Sequence, residues 1–227
     1  LEDIVENHEQ IVRRILPYVS PLKYFQDYLH HGFYPFYREH RNYSENLLKT
    51  MNMMTEVDIL FIKQIELKYL AKIKKLFYEL AIGGPKAPNI SELAKDINTS
   101  RATVMNYIKY LAEARLVNIL YPVGEEFPKK PARVMLHNTN LQYVIYPLTF
   151  TEQEVMETFF VGTLRKEHQV NVGAKPGYYI IDNKHKFRIC DATNHKVRYS
   201  NDVVYARYHT EIGEGNKIPL WLFGFLY

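Results

Sequence analysis

Apolar residues recur at three- and four-residue spacing from Leu1 to about Leu80, as at Ile4, Ile11 and Ile15 and again at Ile62, Ile65, Tyr69, Ile73, Leu76 and Leu80. That spacing draws an apolar stripe along one side of a helix, and no strand-like alternation interrupts it. Pro17, Ser20 and Pro21 break the first predicted helix, and Gly32 and Pro35 break the next. Gly83-Gly84-Pro85 closes the last with residues that tolerate left-handed angles and then forbid continuation. The N-terminal third is expected to be a set of about four helices.

The pattern then tightens. Asn89 followed by Glu92 forms a capping box, and Ile90, Leu93, Ala94 and Ile97 place an apolar stripe on a short helix. Asn98-Thr99 supplies a turn and Ser100 a second cap, after which Val104, Ile108 and Leu111 form the buried stripe of a longer helix reaching about Arg115. Short helix, tight turn, longer helix is the helix-turn-helix plan. Leu116 to Tyr121 reads as a strand with Arg133 to His137 as its partner, across a loop holding Pro122, Gly124, Pro128, Lys129, Lys130 and Pro131. A hairpin after the second helix is a wing, so residues 62–137 are predicted to be a winged helix-turn-helix.

After Pro147 the register changes again. Thr151 to Lys166 fits a helix with Val155, Phe159 and Leu164 inward, while Tyr178–Ile181, Lys186–Cys190, Val203–Tyr208 and Leu220–Tyr227 read as short strands. Asp182-Asn183-Lys184 is a tight hairpin connection, and the last strand is apolar enough to be central. The predicted fold class is mixed, with an all-α N-terminal part over 1–61, the winged helix-turn-helix over 62–137 and a small α+β domain over 138–227.

Composition narrows the function classes. A chain of 227 residues with 47% hydrophobic residues, 10 Gly and 11 Pro can bury a core and is globular rather than disordered. The 29 basic and 25 acidic residues leave a net charge of +4, and the pI near 8.9 leans mildly toward polyanions. The longest apolar stretch, Ile218 to Tyr227, falls short of the ~18 residues of a membrane span, so no membrane partner is expected. A single cysteine, Cys190, excludes an internal disulfide and fits a cytoplasmic location. The 19 tyrosines suit interfaces and half-buried sheet surfaces alike. The chain begins at Leu1 inside an acidic, helix-like stretch with no signal peptide ahead of it, and is expected to be a piece of something longer.

At about 100° per residue, Thr103, Asn106, Lys109, Tyr110 and Glu113 fall on the face of the second helix away from its apolar stripe. Asn106 suits an adenine edge, Lys109 a guanine or a phosphate, and Arg101 sits at the helix start, where recognition helices approach DNA. Lys129 and Lys130 at the wing would hold a phosphate, with Glu125 and Glu126 cutting the local field. The alternative is an ordinary solvated face on a protein-binding module. Lys72, Lys74 and Lys75 read as the wet side of their helix. The 9 histidines show no metal-site spacing, and Cys190, Asp191 and His195 offer one cysteine where structural zinc normally takes at least two. Gly213-Glu214-Gly215-Asn216-Lys217 reads as a turn rather than a phosphate loop, and no Gly-x-Ser-x-Gly or Cys-x-x-Cys occurs. No catalytic residue and no metal ligand is assigned.

Tyr28-Leu29-His30-His31-Gly32-Phe33-Tyr34-Pro35, the Ser91–Leu116 helix-turn-helix, Glu157-Thr158-Phe159-Phe160 and the terminal block from Gly215 through Trp221 to Tyr227 together resemble the C-terminal portion of a bacterial and archaeal AAA-type ATPase family. The resemblance covers essentially the whole chain. It implies an upstream ATPase core that would bind ATP and Mg²⁺, with residues 1–61 as its helical lid and an oligomeric assembly as a further expectation. It also implies that residues 138–227 have a restriction-endonuclease-like fold. In that plan one helix acid and two hairpin acids bind Mg²⁺, and Glu157 matches the helix position. Where similar chains read Gly-Asp and Phe-Glu, this one has Gly177-Tyr178 and Phe187-Arg188, so octahedral oxygen coordination fails. The reading is a non-enzymatic region in which the winged helix contacts double-stranded DNA beside an inactivated nuclease-like tail. A protein-interaction module that positions the ATPase is the alternative, and a live nuclease would require Glu157, Asp182 and Asp191 to converge.

Overall fold

Proline and glycine set the ends of the N-terminal helices in the computed structural model, which describes residues 1–39, 42–59, 65–145 and 150–226. Helix α1 (Glu2–Ile15) carries Glu2 and Asp3 in its first turn and Arg13 and Arg14 in its last, each complementing the helix dipole. Its buried stripe is Ile4, His8 and Val12, so the stripe expected through Ile4, Ile11 and Ile15 is rotated, and Ile11 and Ile15 are only half-buried. Helix α2 (Pro21–His31) starts on the expected proline, and a 3-10 turn (Pro35–Glu39) leads toward α3 (Tyr43–Met53), which runs on into a π-helical turn (Met54–Ile59). Ile62, and with it the boundary expected at 61/62, lies outside the described residues, as does Pro147. The helix expected to run through Ile65 and Tyr69 begins later, with a 3-10 turn (Leu67–Tyr69) ahead of α4 (Leu70–Gly83). No helix among the described residues is long and apolar enough to cross a membrane.

The chain groups into two compact units, Leu1–His30 with Thr151–Tyr227, and His31–Phe150. In the second unit α5 (Ile90–Asp96) and α6 (Arg101–Glu113) follow α4, and β1 (Val117–Leu120) pairs antiparallel with β2 (Arg133–Leu136) in the register Val117↔Leu136 to Leu120↔Arg133. Both helix starts are capped as their sequences require: Asn89 Oδ1 accepts the Glu92 N–H at 3.3 Å and Ser100 Oγ the Thr103 N–H at 3.1 Å. Asn98 takes a positive φ of 49° in the intervening turn. Val104, Ile108 and Leu111 are fully buried against Ile73, Leu76 and Phe77 of α4. A short helix absent from the sequence reading, α7 (Thr139–Ile145), completes the unit.

In the first unit α8 (Glu152–Leu164) opens on a full capping box between Thr151 and Glu154. Nearly every residue from Val155 to Leu164 is buried, because the helix is covered on all sides. Five strands form one mixed sheet in sequential order: β3 (Val170–Val172), β4 (Tyr178–Ile181), β5 (His185–Asp191), β6 (Val204–Tyr208) and β7 (Lys217–Pro219). Pairings from β3 to β5 are antiparallel, and those from β5 to β7 are parallel. Asp182 and Asn183 at φ 52° and 56° make the left-handed two-residue turn expected there. The fold is thus mixed α/β, as predicted at that level.

One strand expectation is corrected. Leu220–Phe225 is a 3-10 helix with Leu220 to Phe223 buried, and Tyr227 lies outside the described residues. The last strand is Lys217–Pro219, at the sheet edge instead of its centre. Proline has no N–H to donate to a ladder, so Pro219 ends the strand, and the apolar run folds back as a helical turn. Phe223 then meets Phe160 and Phe187 at ring-centre distances of 5.1 and 5.7 Å.

Candidate functional site

Helix α6 turns its buried stripe inward and leaves Asn106 and Lys109 exposed on the opposite side, with Arg101 exposed at the helix start. The remaining residues expected on that face are partly engaged. Thr103 is half-buried and its hydroxyl lies 2.8 Å from Ser100 Oγ, so it serves the cap. Tyr110 is corrected: it is half-buried and packs against the core beside Tyr107, ring centres 6.4 Å apart. Its ring is wide enough to reach the apolar side from a flanking position. The Lys109 ammonium lies 3.9 Å from Glu113 Oε1 and 4.7 Å from the centre of the Phe127 ring in the β1–β2 loop. That loop therefore touches the outer face of α6, a contact that side chains 18 residues apart do not announce in sequence.

Lys129 pairs with Glu125 at 3.2 Å, while Lys130 is exposed. Arg101, Lys109, Lys129 and Lys130 thus face Glu113, Glu125 and Glu126, which leaves a small positive excess. Lys72 and Lys75 are corrected from solvated charges to structural ones. They donate to the backbone carbonyls of Asn98 at 2.6 Å and Asp96 at 2.7 Å, satisfying acceptors at the end of α5 and in the turn. Lys74 pairs with Glu56 at 2.6 Å.

In the sheet-bearing unit, Glu157 is buried on α8. It accepts hydrogen bonds from Tyr179 Oη at 2.5 Å and Gln153 Nε2 at 2.8 Å, and Gln153 also donates to the Ile189 carbonyl at 3.1 Å. Tyr179 and Phe187 face α8, so by the two-residue alternation of a strand Tyr178 and Arg188 point to the other side of the sheet. There Tyr178 packs with Cys190, Val197, Val203 and Tyr205. Burial pushes the Cys190 thiol pKa up. A hard divalent cation at Tyr178 and Arg188 would meet an aromatic ring and a guanidinium, and the residues do not fit it.

The three acids whose convergence a nuclease would need are apart. Asp182 lies before β5 and Asp191 ends it, a strand length of about 20 Å. Asp182 accepts the Gln169 N–H at 2.8 Å and lies 2.7 Å from His168 Nδ1. Partial burial opposes the shift, yet these two donors hold its carboxyl below the usual range.

Asp191 instead joins a clasp that the sequence reading missed. His209 Nδ1 lies 3.1 Å from Asp191 Oδ1 and its Nε2 lies 2.8 Å from Glu152 Oε1. Burial lowers the His209 pKa, but the two carboxylates outweigh it and raise the group above 6.5. These residues lie 18 and 57 positions apart, so no local spacing could have paired them. His195 is exposed, and no group of three or more His, Cys, Asp or Glu among the described residues is set to hold a metal ion.

No curated protein and no solved structure matches this chain. A family model described as a domain of unknown function, DUF8612, matches residues 22–135, from the start of α2 to within β2. That is half of the 227 residues, and the chain belongs to the DUF8612 family.

Proposed function

We propose that this chain is the nucleic-acid-binding, regulatory region of an AAA-type ATPase, in which a winged helix-turn-helix grips duplex DNA and a nuclease-like tail is catalytically inactive. The observation that carries the reading is the division of α6. One side is fully buried through Val104, Ile108 and Leu111, the other presents Asn106 and Lys109 to solvent, and Arg101 is exposed at the helix start. A capped helix with an open, mildly cationic face, followed by an antiparallel hairpin that carries Lys129 and Lys130, suits a major groove with phosphates on either side. Asn106 is the residue to read a base edge, and Arg101, Lys109 and Lys130 supply phosphate contacts. The inactive tail rests on Tyr178 and Arg188 where carboxylates would be needed, and on the separation of Asp182 from Asp191.

The pairing of Lys109 with Glu113, and of Lys129 with Glu125, favours the second reading, a module that contacts protein and positions the ATPase. Duplex binding measured at several salt concentrations separates the two. For a DNA-binding face, log affinity falls steeply with log salt, and replacing Arg101 and Lys109 together by Ala lowers the slope by about 2, roughly one per phosphate contact. An unchanged slope in the double variant assigns the face to a protein partner.

A further inference from the structure

The five-stranded sheet has a second face, turned away from α8 and Glu157. By register Tyr178 lies across from Arg188, Arg188 beside Tyr205, and Tyr205 beside Lys217. One row over β4, β5, β6 and β7 thus alternates aromatic and cationic side chains, and Arg207 follows Tyr205 on the same side of β6.

Residues 192–203 join β5 to β6 and pass over this face, where Val197 and Val203 cluster with Cys190, Tyr205 and Tyr178. Tyr199 of that segment stands edge-on to Tyr205, ring centres 4.7 Å apart, and stays 42% exposed. The Lys217 ammonium lies 4.7 Å and the Arg207 guanidinium 5.8 Å from the centre of the Tyr199 ring. The Arg188 guanidinium lies 5.2 Å from that of the half-buried Tyr178. Each accessible ring therefore has a cation beside it.

Most acids of the neighbourhood are already engaged. Asp182 is held by His168 and the Gln169 N–H, Asp191 by His209 and the Thr193 N–H, and Asp202 by Lys186 and Ser200. Glu9, which reaches the Gly215 N–H from α1, lies 4.0 Å from Arg13. Glu211 and Glu214 remain, both in the β6–β7 connection. Glu214 bridges to Lys217 through backbone, but the Lys217 ammonium lies at the Tyr199 ring instead of pairing with that carboxylate. Against these two, Arg188, Lys196, Arg198, Arg207 and Lys217 have no carboxylate partner among the described residues. Cations are in excess on this face even after every acid is counted.

We infer that this face binds single-stranded nucleic acid. Each nucleotide brings one flat ring and one negative charge, the pair of features that the alternation of Tyr with Arg or Lys complements, and bases stack on guanidinium planes as well as on aromatic rings. A duplex keeps its base faces stacked on one another and could offer this surface only its backbone and edges. An acidic peptide would meet the cations and leave the rings unused. The inference uses no feature of α6 and lies on the opposite side of the sheet from Glu157.

The test is fluorescence anisotropy of a fluorescein-labelled oligothymidine titrated with the full chain at several salt concentrations. Saturable, salt-sensitive binding is expected. Tyr199→Leu, which keeps an apolar cover over Tyr205 but loses the flat ring, should weaken it about tenfold, while Tyr199→Phe should not. Replacing Arg188 and Lys217 together by Gln should lower the salt slope by about 1.4, roughly 0.7 per phosphate contact. These charge variants lie at residues other than Tyr199, so the slope stands as a test even if Tyr199→Leu melts early. Arg101→Ala with Lys109→Ala should leave single-strand binding unchanged, so that this inference and the α6 reading fail separately. Absent binding, a folded Tyr199→Leu with parental affinity, or an unchanged slope in the charge variant overturns the inference. So does loss of binding in the Arg101 and Lys109 variant, or displacement by polyglutamate or phosphatidylglycerol vesicles as readily as by unlabelled oligothymidine.

Discussion

Arg188 stands directly across from Tyr178 in the β4–β5 ladder, and its guanidinium lies 5.2 Å from the centre of the Tyr178 ring. The two positions where the family resemblance would place carboxylates are thus joined by a cation–π contact. A double-mutant cycle over Tyr178→Ala and Arg188→Ala should show a coupling of about 0.5–1 kcal/mol. Urea unfolding of the four proteins measures it, and purely additive effects would dissolve the pair.

Glu157 sits on the opposite side of the same sheet, and its role is to hold buried donors. Glu157→Ala removes the carboxylate that accepts from Tyr179 Oη and from Gln153 Nε2, and should cost about 1–3 kcal/mol. Glu157→Gln keeps an acceptor and should cost less. Chemical denaturation distinguishes the two, and equal losses would show that packing, rather than hydrogen bonding, holds the site.

Close backbone approach makes two glycines irreplaceable. A Cβ at Gly173 would stand 2.7 Å from Tyr178 Cβ, and one at Gly213 would stand 2.3 Å from the Lys217 carbonyl oxygen. Since backbone must move in either case, each Gly→Ala change should lower stability by about 1–3 kcal/mol or more. Thermal melting of Gly173→Ala indistinguishable from the parent would refute the contact.

The His209 clasp predicts a pH dependence. His209 has a raised folded pKa, so its stabilisation is fully present below its ordinary value of 6.5 and is lost as pH rises through the folded value. Asp191 has a lowered one, despite partial burial, through the Thr193 donors and His209. Its contribution is present above the ordinary 3.8 and is lost as pH falls through the folded value. The melting-temperature gap between parent and His209→Ala should therefore be wide in mildly acidic buffer and narrow in alkaline buffer. Exposure of His209 and Glu152, with Asp191 half-buried, keeps the effect modest. A gap that widens with rising pH would contradict the assigned charges.

Ser100→Ala removes the cap of α6 without touching its exposed face. It should cost about 1 kcal/mol, seen as a lower unfolding midpoint, while duplex affinity measured well below that midpoint stays unchanged. A large loss of affinity would mean that the Ser100 hydroxyl itself contacts the ligand.

Much of this architecture was legible locally. Asn89, Ser100 and Thr151 cap helices because their side chains reach N–H groups three residues away, and Pro21, Gly83 and Asp182-Asn183 act within their own turn. The buried stripe through Val104, Ile108 and Leu111 was equally readable, since helical period alone puts these residues on one side. The exposure of Asn106 follows from the same period, and that of Arg101 from its place in the first turn. The apolar run at Leu220–Phe225 was misread because a short, uniformly apolar segment carries no period that separates a buried strand from a buried helical turn. Tyr110 was misplaced because a long ring at the boundary of a face can bend to either side.

What the sequence by itself determined was therefore the two helices and hairpin of residues 90–136, the β4–β5 turn, and the caps and inward stripe of α6, all of which are governed by interactions spanning a few residues. Only the tertiary structure decided that His209 would clasp Asp191 and Glu152, that Lys72 and Lys75 would tie down the turn between α5 and α6, and that Phe127 would come within reach of the Lys109 ammonium. Those partners are distant in the chain, and which of them meet is settled by how the elements pack within each unit, a choice made by the burial of many side chains at once and written in no local pattern.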